Sequence, residues 1–148
     1  MKQDLRIAIS KAIERERDAY SLYTSLTKET NVYNLQILYR ELAIQELKHE
    51  AMLKELLRTN NPKKAKQETA IKYPEFEVGD KLHSTSSEEG IIEGLKFAIK
   101  REIESQIYYT ELFKSTEDIE IQEFFHFLIE EEKEHERKLF EEYKKFIG

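Results

Sequence analysis

Four glutamates and two histidines stand out in this chain because carboxylate and imidazole groups can together hold metal ions. They are Glu16, Glu46, His49, Glu102, Glu132 and His135. Each histidine follows one of these glutamates by three residues, a spacing that puts both side chains on one face of a helix. Ligands of this type suit iron, manganese or zinc. The six residues therefore predict a metal centre, provided that the fold brings them together.

These residues belong to an internal repeat with a constant offset of 86 residues. The equivalent pairs are Glu16 and Glu102, Tyr23 and Tyr109, Glu46 and Glu132, and His49 and His135. Such a repeat indicates a duplicated helical hairpin, whose halves can build one site with pseudo-twofold symmetry. Each tyrosine lies two helical turns after a glutamate of the set and is a candidate for a hydrogen bond to a ligating carboxylate. A core tyrosine with a satisfied hydroxyl is the alternative for both.

The four glutamates occupy positions on apolar helix faces where leucine would be expected. The first of these faces consists of Leu5, Ile9, Ala12, Glu16, Ala19, Tyr23 and Leu26. An unpaired carboxylate buried there costs several kcal/mol or becomes protonated. Two divalent cations would balance four carboxylates. A single glutamate from each of two helices, with a Glu-x-x-His pair from each of two others, is also the ligand arrangement of dinuclear carboxylate bundles.

A further Glu-x-x-His pair, Glu123 and His126, is predicted to be a decoy. Glu123 lies nine residues before Glu132, which places it about 180° away around the helix. The pair also has no equivalent at the offset of 86 residues. We therefore expect Glu123 and His126 on the solvent side.

The periodicity predicts an all-α four-helix bundle in a single domain spanning residues 1–148. The helices are expected at about 4–28, 32–59, 87–115 and 118–146, with Ser86 and Glu89 forming a capping box at the third. Short joins make the helices of each hairpin antiparallel. The connector, at about 60–86, is long enough to run the length of the bundle as a crossover. An up-down-down-up order follows.

Composition excludes several other classes of protein. The net charge is −6 with both signs interleaved, so no basic surface for nucleic acid is expected. No apolar run is long enough to span a membrane, and the N-terminus has no secretory signal. A cytoplasmic protein is the expectation. The absence of cysteine excludes disulfides, iron–sulfur clusters and cysteine-ligated zinc.

At these residues the sequence resembles the rubrerythrin branch of the ferritin-like family. That branch carries Glu-x6-Tyr followed by Glu-x2-His, twice over, and all eight positions match here. The resemblance covers nearly the whole chain. It implies a ferritin-like bundle with two iron ions, with manganese or a mixed metal pair as alternatives, and reduction of hydrogen peroxide or activation of dioxygen.

Two departures from the family pattern bear on function. Many rubrerythrins have a further glutamate three residues after the ligand of the third helix, where this chain has Ser105. The redox-linked ligand exchange associated with that glutamate is therefore in question. Full-length rubrerythrins also carry a four-cysteine rubredoxin domain, which this chain lacks. Electrons are accordingly expected from a separate donor protein.

The leading hypothesis is a homodimeric di-iron peroxide reductase. Glu46 and Glu132 would bridge the two ions, while Glu16, Glu102 and the two histidines would each bind one ion. Iron oxidation and storage in a multimeric shell is one alternative. A bundle that binds metal only structurally, or acts as an interaction scaffold, is another.

Overall fold

The structure, a computed structural model, describes residues 1–67 and 87–148, which form five helices and no strand. The four long helices are α1 (Gln3–Glu29), α2 (Tyr33–Thr59), α4 (Glu88–Lys114) and α5 (Ile119–Ile147), and the short helix α3 spans Pro62–Lys66. The prediction of an all-α four-helix bundle is confirmed. Most of the predicted crossover, residues 68–86, lies outside the described part of the chain.

The order of helix directions follows from the contacts between the two hairpins. Within each hairpin a short turn makes α1 antiparallel to α2, and α4 antiparallel to α5. The start of α1 meets the end of α4, since Tyr108 Oη donates a hydrogen bond of 2.7 Å to the Ala8 carbonyl. Farther along α1, Arg101 Nη2 donates to the Arg15 carbonyl at 3.1 Å. Helix α4 is thus antiparallel to α1, which confirms the up-down-down-up arrangement.

Local capping determines where several helices begin. The Ser87 hydroxyl accepts from the Gly90 amide at the start of α4, whereas Ser86, predicted for this role, lies outside the described residues. Asp118 caps α5 by accepting from two backbone amides. Helix α3 lies within the predicted connector, where the Asn61 side chain caps it and Pro62 occupies its first turn.

Two apolar clusters fill the core, one at each end of the bundle. One contains Ile9, Leu53, Leu56, Leu112, Phe125 and Leu128. The other contains Leu35, Leu42, Leu95, Ala98 and Leu139. Between them lies a polar layer made of the buried glutamates and histidines. The two clusters hold four helices rigidly above and below this layer, and they shield it from water.

Candidate metal centre

The structure brings all six sequence-predicted ligands into one cluster at mid-bundle. The residues form two overlapping groups of four, and the ligand atoms within each group lie within 4.8 Å of one another. One group consists of Glu16, Glu46, His49 and Glu132. The other consists of Glu46, Glu102, Glu132 and His135. Glu46 and Glu132 belong to both groups, so these two carboxylates stand between the others.

The pseudo-twofold symmetry expected from the repeat is visible in the distances. His49 Nδ1 lies 3.0 Å from Glu132 Oε1, and His135 Nδ1 lies 3.1 Å from Glu46 Oε1. Glu16 and Glu102, the glutamates that have no histidine three residues later, also occupy equivalent positions. Glu16 Oε2 and Glu102 Oε2 each lie 3.5 Å from the Nδ1 atom of the nearer histidine. Both histidines therefore direct Nδ1 into the cluster.

Every member of the cluster is buried and carries at least one polar atom that makes no well-aligned hydrogen bond, although several of these atoms lie close to one another. None is more than 4% exposed. The unpartnered atoms are Glu16 Oε2, Glu46 Oε1, His49 Nδ1, Glu102 Oε2, both Glu132 carboxylate oxygens and His135 Nδ1. Unpartnered polar atoms are costly in a core. Carboxylate oxygens and imidazole nitrogens converging in two groups fit two divalent cations, which would supply the missing partners.

The pKa values of the four carboxyl groups separate into two pairs. Burial, followed by repulsion from the surrounding carboxylates, raises the pKa values of Glu46 and Glu132 well above 4.5. Burial acts the same way on Glu16, but the neighbouring His49 outweighs it and lowers the Glu16 pKa to about 2. The pKa of Glu102 is likewise lowered, because His135 outweighs burial. Without metal, the two shared carboxyl groups therefore bind protons more tightly than a carboxyl group in water does.

Protonation of His49 follows from the same neighbours. Burial lowers the pKa of an imidazole, yet the carboxylates around His49, with Glu16 foremost, raise it well above 6.5. The metal-free cluster thus contains a charged imidazole facing ionised carboxylates. Divalent metal ions compete with these protons for the same atoms.

The two tyrosines hydrogen-bond to carboxylates of the cluster, each across to the opposite hairpin. Tyr23 Oη on α1 donates to Glu102 Oε1, and Tyr109 Oη on α4 donates to Glu16 Oε1. Burial and then the adjacent carboxylate raise both tyrosine pKa values well above 10.0. Each hydroxyl thus keeps its proton and orients one oxygen of a carboxylate.

Glu131 is a neighbour of the site that the sequence reasoning missed. Its Oε1 lies 3.3 Å from His49 Nε2, the ring nitrogen that points away from the cluster. The signal available in the sequence was a break in the repeat, since the offset of 86 residues pairs Glu131 with Gln45. Ser105, the departure from the family pattern, is a buried residue of α4.

The decoy pair lies where helix phase predicts. Glu123 is exposed. The side chain of His126 is 62% exposed and lies 3.9 Å from Glu130 rather than near any residue of the cluster. A Glu-x-x-His spacing alone therefore does not select the cluster, whereas its position on the apolar face does.

None of the described helices combines the length and apolar character needed to cross a membrane. The charged faces of the four long helices account for this, because acidic and basic residues recur at every turn.

Comparison with known proteins identifies the family. The family model described as Rubrerythrin matches residues 8–143. A solved structure described as a hypothetical protein from Pyrococcus furiosus is similar in fold, with a TM-score of 0.77, 23% sequence identity, and coverage of 97% of this chain and 90% of that one. No curated protein matches the sequence significantly. Because the family match extends over nearly the entire sequence, the chain belongs to the rubrerythrin family.

Proposed function

We propose that this protein binds two iron ions at the buried cluster and reduces hydrogen peroxide with electrons from a separate donor. The observation that carries the proposal is the convergence of six buried ligand residues, each with an unpartnered donor atom. Membership of the rubrerythrin family supports iron as the metal. The buried cluster and the family together suit di-iron binding.

Each residue has a role that follows from its place. Glu46 and Glu132, which belong to both groups, would contact both ions. Glu16 and His49 would complete one coordination sphere, and Glu102 and His135 the other. When bound by these residues, two ferrous ions would supply the two electrons that, with two protons, convert hydrogen peroxide to two molecules of water.

Two phenol groups of this chain act beside the cluster as hydrogen-bond donors. Tyr23 and Tyr109 keep their phenolic protons at neutral pH and donate them in hydrogen bonds to ligating carboxylates. Their second function is orientation, because an oxygen that accepts from tyrosine leaves the other oxygen of the same carboxylate free for metal. Both roles belong to the same proposal.

The apolar clusters above and below the polar layer contribute by excluding water. A ferrous centre held in such surroundings would be protected from uncontrolled side reactions. These 148 residues contain no cysteine that could hold a thiolate-bound redox centre. We infer that a separate, small electron-transfer protein reduces the site after each turnover.

The test combines metal analysis with a peroxide assay. Protein purified from its own host should contain two iron ions per chain, and the anaerobically reduced protein should consume one peroxide for every two ferrous ions oxidised. Glu132→Ala should lose this activity, whereas the matched control Glu123→Ala should retain it. Iron-loaded protein that leaves peroxide untouched would contradict the proposed reaction.

Sizing of the native protein separates this function from iron storage. We expect a homodimer, since peroxide reduction needs no enclosed space. A large hollow shell that oxidises many ferrous ions per chain with dioxygen would favour storage. Gel filtration combined with light scattering distinguishes the two assemblies.

A further inference from the structure

We propose that Glu131 is a positioning residue that fixes the ring of His49 and makes the two metal positions unequal in affinity. This role rests on the metal binding proposed above. It concerns a residue outside the ligand set, and its test reports on each metal position separately.

Each ring nitrogen of His49 faces a different carboxylate. Nε2 lies 3.3 Å from Glu131 Oε1, while Nδ1 lies 3.0 Å from Glu132 Oε1 inside the cluster. A neutral imidazole carries one N–H, and a carboxylate at Nε2 holds it there. The lone pair is then on Nδ1, directed at the metal position. A carboxylate at the outer nitrogen also makes the imidazole a stronger donor to metal.

The position of Glu131 in the fold allows it to orient the His49 ring. It lies on α5, immediately before Glu132. The same stretch of backbone therefore positions the ligand Glu132 and also Glu131, which contacts the ligand His49. Its carboxylate reaches His49 on α2, across the interface between the two hairpins. The His49 side chain is fully buried, and that of Glu131 is 31% exposed. The carboxylate therefore lies at the edge of the site, with one side open to solvent and its contact with His49 shielded on the other.

The other half of the repeat lacks this arrangement. The equivalent of Glu131 at the offset of 86 residues is Gln45, which carries no charge. Among residues 1–67 and 87–148, no carboxylate lies within hydrogen-bonding distance of His135 Nε2. The two halves thus offer the same inner ligands but different outer support. The position completed by His49 should bind its metal more tightly than the position completed by His135.

Titration of the metal-free protein with cobalt(II) tests the inequality. The wild type should bind two ions in two resolved steps. Glu131→Ala should weaken one step by about 10- to 100-fold and leave the other in place. Glu131→Gln, which retains an acceptor oxygen but loses the charge, should cause a smaller loss. The matched control is Glu130→Gln, because Glu130 is a half-exposed neighbour paired with Lys133, and it should change neither step.

The repeat allows the same test to be made in the other half of the site. Gln45→Glu places a carboxylate at the position equivalent to Glu131 and should strengthen the weaker step. In the double variant Glu131→Gln and Gln45→Glu, the order of the two affinities should reverse. General damage to the bundle would weaken both steps together, so the reversal separates positioning from a merely structural role.

A spectroscopic readout follows the hydrogen bond itself. In the zinc-loaded protein, the Nε2 proton of His49 should exchange slowly with solvent in nitrogen-resolved NMR spectra. Glu131→Ala should make that exchange fast without altering the His135 signal. Two bound ions with unchanged affinities in the Glu131 variants would overturn the proposed role while leaving metal binding intact. A wild type that binds no metal would overturn both.

Discussion

Loading the metal-free protein with two divalent ions at pH 7 should release protons, because ligand atoms must lose them before they bind metal. We expect the shared carboxyl groups of Glu46 and Glu132 to be neutral at pH 7 in the metal-free cluster, since burial and neighbouring carboxylates raise their pKa values well above 4.5. We expect His49 to carry an additional proton, because its pKa is raised well above 6.5. Displacement from these three groups gives roughly three protons per chain.

The distances explain why the shared carboxyl groups are the ones that hold protons. Two ionised carboxylates whose oxygens are 4.8 Å apart, the outer limit within each group, repel by about 3.5 kcal/mol at an effective dielectric constant of about 20. Glu46 faces three other carboxyl groups, so the repulsion is repeated. Glu16 is relieved by His49 and stays ionised.

Calorimetric titration in buffers of different ionisation enthalpy measures the proton count directly. The slope of observed binding enthalpy against buffer enthalpy should correspond to roughly three protons, and Glu46→Gln should remove one of them. Glu123→Gln, on the solvent side of α5, should leave the slope unchanged. A wild-type release below about one proton per two bound metal ions would refute the assignment of neutral carboxyl groups in the cluster.

Four other outcomes follow from the structure. Metal analysis should find tight binding lost in Glu132→Ala but retained in Glu123→Ala, because only the first belongs to both groups of ligands. In metal-free protein, the thermal midpoint should fall as the pH rises from about 5 to about 9. Groups with raised pKa values stabilise the fold below their unfolded pKa, and this stabilisation is lost as the pH passes their folded pKa. Added metal should reduce the fall in the thermal midpoint. Tyr23→Phe removes a hydrogen bond to a buried carboxylate and should lower the unfolding free energy of the metal-free form by about 2 kcal/mol in urea titrations, with slower peroxide turnover in the reduced protein. Asp118→Ala removes the cap of α5 and should cost about 1 kcal/mol in the same titrations without changing metal content.

Helix phase and the internal repeat made the cluster predictable from the sequence. A glutamate at a leucine position needs a partner in the core, and four such glutamates at one offset identify a common site. The helix faces are local properties, since side chains three and four residues apart share a face whatever packs against them. For the same reason, the solvent position of Glu123 could be predicted from its separation from Glu132.

The contacts between hairpins could not be derived in this way. Tyr23 lies on the same face as Glu16 of its own helix, yet its hydroxyl reaches Glu102 of the opposite hairpin. The contact between Glu131 and His49 likewise depends on the relative height of α2 and α5. Periodicity defines a face but contains no measure of how far one helix is shifted along another. Helix α3 was missed for a different reason, because a single turn is too short to establish a period.

The exchange of tyrosines between hairpins has a consequence for how such a chain could originate. Each hairpin contributes three ligand residues and one tyrosine, and each tyrosine completes a glutamate of the other hairpin. Two identical copies of one hairpin would therefore contain every group needed to close the site. Joining them in one polypeptide replaces an encounter between two molecules with an intramolecular one at high effective concentration. Once the copies are joined, each can change independently of the other. The difference between Gln45 and Glu131 is such a change. In a symmetric pair of separate identical chains, the same substitution would occur in both halves.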